Sequence, residues 1–125
     1  MELESRTGAD PARTFLFGFS QGATMALAVA LTRPELVRGV ILHSGRILQR
    51  LERRAAPPDR LARLEALVLH GVYDDVLPVQ RRREMRDLLA PILGPRLTYR
   101  EHDARHFVTR DSIADADRWL SARIR

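Results

Sequence analysis

Residues 18–22, with the sequence Gly-Phe-Ser-Gln-Gly, place a serine at a sharp turn between a strand and a helix. The preceding residues 14–17 are mostly apolar and aromatic, which is typical of a strand, and residues 23–31 form an apolar helical segment. The two glycines leave room for a tight turn from which Ser20 can project its hydroxyl. This context favours a G-x-S-x-G nucleophile elbow, although the five residues alone also fit a turn with a serine N-cap.

A nucleophilic serine needs a histidine as base and an acid that orients the histidine. In a parallel sheet these groups lie on loops at the carboxyl ends of strands, and after such an elbow the acid precedes the histidine along the chain. Residues 67–69 predict a buried strand, and Asp74 and Asp75 follow on its loop. Pro78 is predicted to open a helix. The alternative is that one aspartate merely caps that helix.

The candidate base follows the next strand. Residues 97–101 suit a strand because they include threonine and tyrosine, and His106 falls on the loop after it, third in the expected order. Thr109 or Asp111 is predicted to cap the last helix. The other histidines end strands: His102 is expected to be partly exposed, and His43 and His70 are expected to pack or form hydrogen bonds.

The elements follow the order strand, helix, strand, linker, strand, helix, strand, helix. This order predicts an α/β fold with a parallel sheet of about four strands and flanking helices, with residues 39–44 as the second strand. Two helices show apolar stripes that predict core-facing sides. The stripes are Met85, Leu88, Leu89 and Ile92 in one helix, and Ile113, Ala116, Leu120 and Ile124 beside Trp119 in the other.

The linker between the second and third strands, residues 46–63, is rich in arginine. It contains six arginines but only two acidic residues, Glu52 and Asp59, and two consecutive prolines divide it. A solvated linker with a short helix is the favoured interpretation, and a mobile cover over the serine turn is the alternative.

Together the three segments resemble the phospholipase/carboxylesterase family of α/β-hydrolases, which includes acyl-protein thioesterases and bacterial carboxylesterases. The resemblance implies an ester or thioester hydrolase for a small or medium acyl group, with Ser20 as nucleophile, Asp74 as orienting acid and His106 as general base. It also implies that the Gln21 N–H is one half of the oxyanion hole. Leu77 and Phe107 are implied near the acyl pocket. The matching residues are 18–22, His70-Gly71, Asp74, Val76-Leu77-Pro78, Asp103-Ala104 and His106.

Three departures from the family pattern matter. Asp75 stands where the family usually has a small residue or proline, and Arg105 stands where a glycine usually precedes the histidine. The family's N-terminal half, with a second oxyanion donor, has no counterpart here, so residues 1–13 are predicted to be a polar stub and residues 14–125 the C-terminal part of the domain. The first strand would then be a sheet edge. Weak or absent activity follows, and the rival function is a noncatalytic interaction module that forms a homodimer through that edge.

Composition argues against several other classes of protein. The net charge is +5, but all 21 basic residues are arginine and they are dispersed, and the 7 aromatic residues form no stacking platform between them. Nucleic-acid binding is therefore not expected. The chain has no cysteine, and no cofactor or metal site is predicted. No apolar run is long enough to span a bilayer, and the start does not resemble a signal peptide, so a cytoplasmic protein is expected.

Overall fold

The computed structural model describes residues 10–77, 81 and 83–124, in which four parallel strands form one sheet in the order β1-β2-β3-β4. The predicted α/β architecture is confirmed. Among the described residues, three α-helices cover the sheet: α1 (Gln21–Thr32) connects β1 to β2, α2 (Glu84–Leu93) precedes β4, and α3 (Arg110–Ser121) follows β4. The strands are β1 (Phe15–Phe19), β2 (Gly39–His43), β3 (Glu65–Gly71) and β4 (Leu97–His102).

Strand β1 lies at an edge of the sheet formed by the described residues, as expected from the sequence. It extends two residues beyond the predicted end because Gly18 and Phe19 remain in register with Leu42 and His43 of β2. All residues of β2 are buried, as is typical of a strand with helices on both faces of the sheet. The four strands therefore bring the ends of β1, β3 and β4 to one rim.

Each face of the sheet has its own apolar core. On one face the side chains of α1 and α2 pack against the sheet, with Leu27, Leu31 and Leu89 fully buried. The other face carries a smaller cluster under α3, in which Ala116 and Trp119 pack on Leu67 and Leu69 with Ile41. Burial on both sides holds the strand ends in fixed positions, which is what a site at the rim requires.

The predicted core stripe of α3 is wrong at two positions. Ile113 is 55% exposed and Ile124 is also exposed, whereas Ser112, Ala116 and Trp119 are buried. A capping box between Thr109 and Ser112 sets where the helix begins. The stripe with i, i+4, i+7 spacing therefore starts at Ser112, one residue earlier than predicted, and Trp119 contacts Phe15 of β1 edge-on.

The predicted stripe of α2 is confirmed, since Met85 and Leu89 are buried and Leu88 and Ile92 pack against the same core. The helix ends before Gly94, whose positive φ of 53° is a backbone conformation that glycine adopts without steric cost. The predicted helix opening at Pro78 lies outside the described residues.

The arginine-rich linker contains a short 3₁₀ helix, Leu51–Arg53. The interpretation as a solvated linker is incomplete, because its apolar residues Leu51, Ala56 and Leu61 are buried in the core. These side chains hold the linker against the sheet. Within the part of the chain that the structure describes, no helix has the length and apolar character to cross a membrane.

Candidate active site

Ser20 lies on a strained turn between β1 and α1. Its φ of 57° with ψ of −117° is unfavourable for a residue with a Cβ, and its N–H donates to the carbonyl of His43 at 2.8 Å. A Cβ on Gly18 would approach the Gly22 carbonyl oxygen to 2.3 Å, so glycine is required where the start of the helix crosses the strand. The side chain of Ser20 forms no capping hydrogen bond with α1. Ser20 therefore occupies the N-cap position of α1 without a side-chain capping hydrogen bond.

His106 lies on the loop between β4 and α3, and this loop rests on the end of β3. The N–H groups of Val72 and Tyr73 donate to the carbonyls of His102 and Ala104 at 2.8 and 3.0 Å. A Cβ on Gly71 would lie 2.3 Å from the Ala104 carbonyl oxygen, so the loop can approach this closely only at a glycine. The conformation of the loop is set by β3 as much as by its own sequence.

Arg105 does not prevent this loop conformation. The side chain of Arg105 is exposed. Among the described residues other than glycine, those with positive φ do not include Arg105. The arginine therefore occupies the usual glycine position without left-handed strain.

Asp74 is held by two kinds of hydrogen bond. Its Oδ1 accepts from the backbone N–H groups of Val76 and Leu77, each at 2.9 Å, and its Oδ2 lies 2.6 Å from Nδ1 of His106. Burial acts to raise the pKa of Asp74, but the hydrogen bonds from His106 and from the two N–H groups outweigh it and hold the pKa below its usual value. Asp74 is therefore ionised at neutral pH.

Asp75 differs from its neighbour. Its side chain is exposed, whereas Asp74 also lies 3.2 Å from Nε2 of the buried His70. Of the two candidate carboxylates, the structure brings Asp74 to His106.

The three predicted side chains form one hydrogen-bonded series. Nε2 of His106 lies 3.0 Å from Oγ of Ser20, and its Nδ1 faces Asp74. Because a carboxylate only accepts, Nδ1 carries the proton and Nε2 is left to accept from the serine hydroxyl. A serine, a base and an oriented acid in this arrangement can activate an oxygen nucleophile.

A small cavity of about 60 Å³ opens beside Ser20. Gln21 and Leu77 line it, as the resemblance implies, whereas Phe107 is 62% exposed and is not among the residues around it. The sequence interpretation missed four lining residues that follow strand ends or lie on the first turn of α1. These are Thr24, Ser44, Arg46 and Val76. The rule that parallel strands present their carboxyl ends at one rim could have found Ser44 and Arg46 after β2.

A partly buried cluster of aromatic rings packs next to the candidate site. The Phe19 ring packs against the rings of His43 and His106, with centroids 5.5 and 5.0 Å apart. Burial, with smaller contributions from His102, His70 and His106, lowers the pKa of His43 to about 4. His43 is therefore a neutral buried ring at pH 7, consistent with the packing or hydrogen-bonding position expected of it.

His102 at the end of β4 is largely buried, with its Nε2 2.7 Å from Oδ2 of Asp115 on α3. Arg118 pairs with the same carboxylate. This second histidine–carboxylate pair attaches α3 to the sheet.

Known proteins resemble the chain over almost all of its length. The structure of esterase PE8 is 31% identical, with a TM-score of 0.72, and the match covers 98% of this chain and 55% of that one. A carboxylesterase of Bacillus cereus is 20% identical, with a TM-score of 0.79 and coverage of 97% and 55%. Acyl-protein thioesterase 2 of Zea mays is 20% identical, with a TM-score of 0.71 and coverage of 87% and 55%.

At 20% identity the last two comparisons concern the fold alone, and the chain spans about 55% of the length of each of these structures. The family model described as Phospholipase/Carboxylesterase matches residues 2–124. The chain therefore belongs to the phospholipase/carboxylesterase family.

Proposed function

We propose that this chain carries the catalytic residues of a carboxylic ester or thioester hydrolase, with Ser20 as nucleophile, His106 as general base and Asp74 as orienting acid. The observation that carries the proposal is the series of contacts of 3.0 Å from Ser20 to His106 and 2.6 Å from His106 to Asp74. These contacts join three loops that are far apart in the sequence. Family membership supports a hydrolase in general.

The mechanism follows from the hydrogen-bond directions. Nε2 of His106 accepts the hydroxyl proton as Oγ of Ser20 attacks the acyl carbon, and Nδ1–H keeps donating to Asp74, which stabilises the imidazolium. The imidazolium then protonates the leaving alcohol or thiol. A water molecule, deprotonated in turn by His106, releases the acid from Ser20.

The developing oxyanion is placed at the start of α1. Gln21 is the first residue of this helix, where N–H groups have no partner within the helix and the helix dipole favours negative charge. Leu77, which lines the cavity, is proposed to contact the acyl group, and Phe107 keeps the same proposed role on its exposed loop. Residues 14–125 are proposed to be the C-terminal part of the hydrolase domain.

Turnover by the 125-residue chain is expected to be slow. Gln21 is the one oxyanion donor that we assign among the described residues, and loss of a donor typically lowers turnover by about 100- to 1,000-fold. Activity equal to that of a full-length carboxylesterase would contradict this part of the proposal.

Covalent labelling tests the proposal without requiring fast turnover. A fluorophosphonate should phosphonylate Ser20, with loss of fluoride, in the wild type and in Ser121→Ala, a matched serine change at the end of α3. Ser20→Ala should show no labelling, and His106→Ala should react slowly at best. Labelling that persists in Ser20→Ala would refute the assignment of the nucleophile.

A second candidate function is a noncatalytic module that associates through β1. The observation that favours it is the position of β1 at the edge of the described sheet, where Phe17 is 51% exposed. Such an edge can pair with a strand of a second copy. A stable dimer in light scattering, together with no labelling of Ser20, would favour the module over the hydrolase.

A further inference from the structure

Several polar residues in the cavity beside Ser20 have no part in the proposed mechanism, and two of them follow strand β2. Arg46 and Ser44 follow β2 and line the cavity together with Ser20 and His106. A substituent of an ester bound at Ser20 would contact these two side chains. Their charge and hydrogen-bond donors therefore influence which substrates the cavity can bind.

The backbone of Arg46 is fixed against α1. The hydroxyl of Thr24 donates to its carbonyl at 2.8 Å, and the N–H of Arg46 lies 3.2 Å from the same hydroxyl oxygen. The side chain is exposed, and it is in none of the ion pairs among the described residues. Arg33, Arg60, Arg83 and Arg86, by contrast, each pair with a carboxylate. The charge of Arg46 is therefore available to a ligand.

Ser44 adds a hydroxyl donor next to this charge. It is 2% exposed, and its Oγ lies 2.8 Å from Nδ1 of His43. Nε2 of His43 is buried without a hydrogen-bond partner among the described residues. Because buried N–H groups are rarely left unpaired, the proton of this neutral ring belongs on Nδ1 and is donated to Ser44. The serine proton can then be donated into the cavity.

The backbone of Ser44 also favours a functional role. Its φ of 56° lies in the left-handed region, which is unfavourable for serine and is found mainly where function requires it. Ser20 and Ser44 each come directly after the last paired residues of β1 and β2, Phe19 and His43, so two serines with positive φ lie on neighbouring strands at the rim.

The charges around the cavity favour an anion at Arg46. Among the described residues no carboxylate lines the cavity, and Asp74, the carboxylate next to His106, uses both oxygens in the contacts described above. A neighbouring groove of about 850 Å³ contains three arginines against three carboxylates and so has no net preference for an anion. These residues are Arg46, Arg50, Arg81, Glu52, Glu84 and Asp87.

From these observations we infer that Arg46 and Ser44 bind a carboxylate carried by the ester or thioester substrate. The guanidinium supplies a planar set of donors and the serine a single one, which suits the two oxygens of a carboxylate. The inference rests on the proposed hydrolase function and narrows its substrate class to acyl esters that carry a second, anionic carboxyl group.

Two pairs of esters test the inference and locate the carboxylate. Monomethyl glutarate carries the carboxylate on the acyl side and is compared with methyl pentanoate, in which a methyl group replaces it. 4-Acetoxybutanoate carries the carboxylate on the alcohol side and is compared with butyl acetate, in which a methyl group again replaces it. In Arg46→Gln, kcat/KM for the preferred anionic ester should fall by about 10- to 100-fold, the usual effect of losing a hydrogen bond to a charged group. For the neutral partner, kcat/KM should change by less than about 3-fold, because a neutral ester has no carboxylate that would form a charge-assisted hydrogen bond with Arg46. Ser44→Gly, which removes the hydroxyl and the strain together, should selectively weaken the same ester.

Arg54→Gln is the matched control, since Arg54 is an exposed arginine of the same linker that lines neither cavity. It should leave both members of each pair unchanged. Equal losses for anionic and neutral esters in Arg46→Gln would overturn the inference.

A binding measurement separates this inference from the proposed function. Monomethyl glutarate and 4-acetoxybutanoate are each titrated into the Ser20→Ala chain, followed by NMR, and the ester that binds more tightly is compared with and without Arg46→Gln. Binding that weakens in the double variant supports the carboxylate site even if wild-type Ser20 proves unreactive. Binding that is absent, or unchanged by Arg46→Gln, refutes the site, while unreactive Ser20 alone refutes only the hydrolase.

Discussion

Replacing His43 with asparagine tests how strongly burial controls the charge of the ring beneath the serine turn. His43 is 2% exposed, contacts Ser44 through Nδ1 and packs against Phe19. Its pKa of about 4 lies below the 6.5 of an exposed histidine, first because of burial and then because of the nearby His102, His70 and His106, with Asp74 acting in the opposite direction.

The sign of the pH dependence follows from this shift. Between pH 6.5 and about 4 the unfolded chain binds a proton at His43 and the native protein does not, so the free energy of unfolding decreases as the pH falls through this range. The contribution of the neutral His43 ring to the free energy of unfolding is therefore fully present above pH 6.5. At about 1.4 kcal/mol per pH unit, the loss over the whole range is about 3 kcal/mol.

His43→Asn retains an N–H that can donate to Ser44 but removes the titrating group. Urea unfolding, followed by the fluorescence of Trp119, the single tryptophan, should be measured for both proteins from pH 8 to pH 4.5. The wild type should lose about 2–3 kcal/mol more than the variant between pH 6.5 and 4.5, and the two should run parallel above pH 7. Parallel curves over the whole range would refute the reasoning that the native ring is held neutral.

Three further changes test the site and the core. Asp74→Asn should lower the rate of phosphonylation of Ser20 by up to about 10⁴-fold, the scale known for the acid of a catalytic triad. Asp75→Asn should leave this rate nearly unchanged. The reverse result would assign the role of orienting acid to Asp75. Gly71→Ala brings a Cβ within 2.3 Å of the histidine loop and should slow labelling by about 100-fold through displacement of His106. Gly22→Ala, whose Cβ meets nothing within 4 Å, is its control, and equal labelling in the two variants would contradict the packing argument. Leu89→Ala, at a fully buried position of α2, should lower the free energy of unfolding, measured with urea, by about 2–5 kcal/mol. A loss below about 1 kcal/mol would show that this side chain does not belong to the packed core.

Much of the fold could be predicted because apolar patterns and turn residues report local structure directly. The strand, turn and helix around Ser20, and the buried face of α2, depend on nearest neighbours in the chain. The face of α3 was predicted one residue out of register, because its orientation depends on the Thr109–Ser112 cap and on the contact of Trp119 with Phe15. Neither is visible in a hydrophobic pattern.

The sequence by itself determined that a serine, two aspartates and a histidine follow strands of one parallel sheet, since parallel strands present their carboxyl ends at the same rim. Only the tertiary structure decided between Asp74 and Asp75, because that choice depends on which carboxylate the N–H groups of Val76 and Leu77 hold toward His106. The tertiary structure also decided which residues after β2 line the cavity beside Ser20. The walls of that cavity are formed by side chains from distant parts of the sequence, and a local sequence pattern does not show that these side chains are in contact.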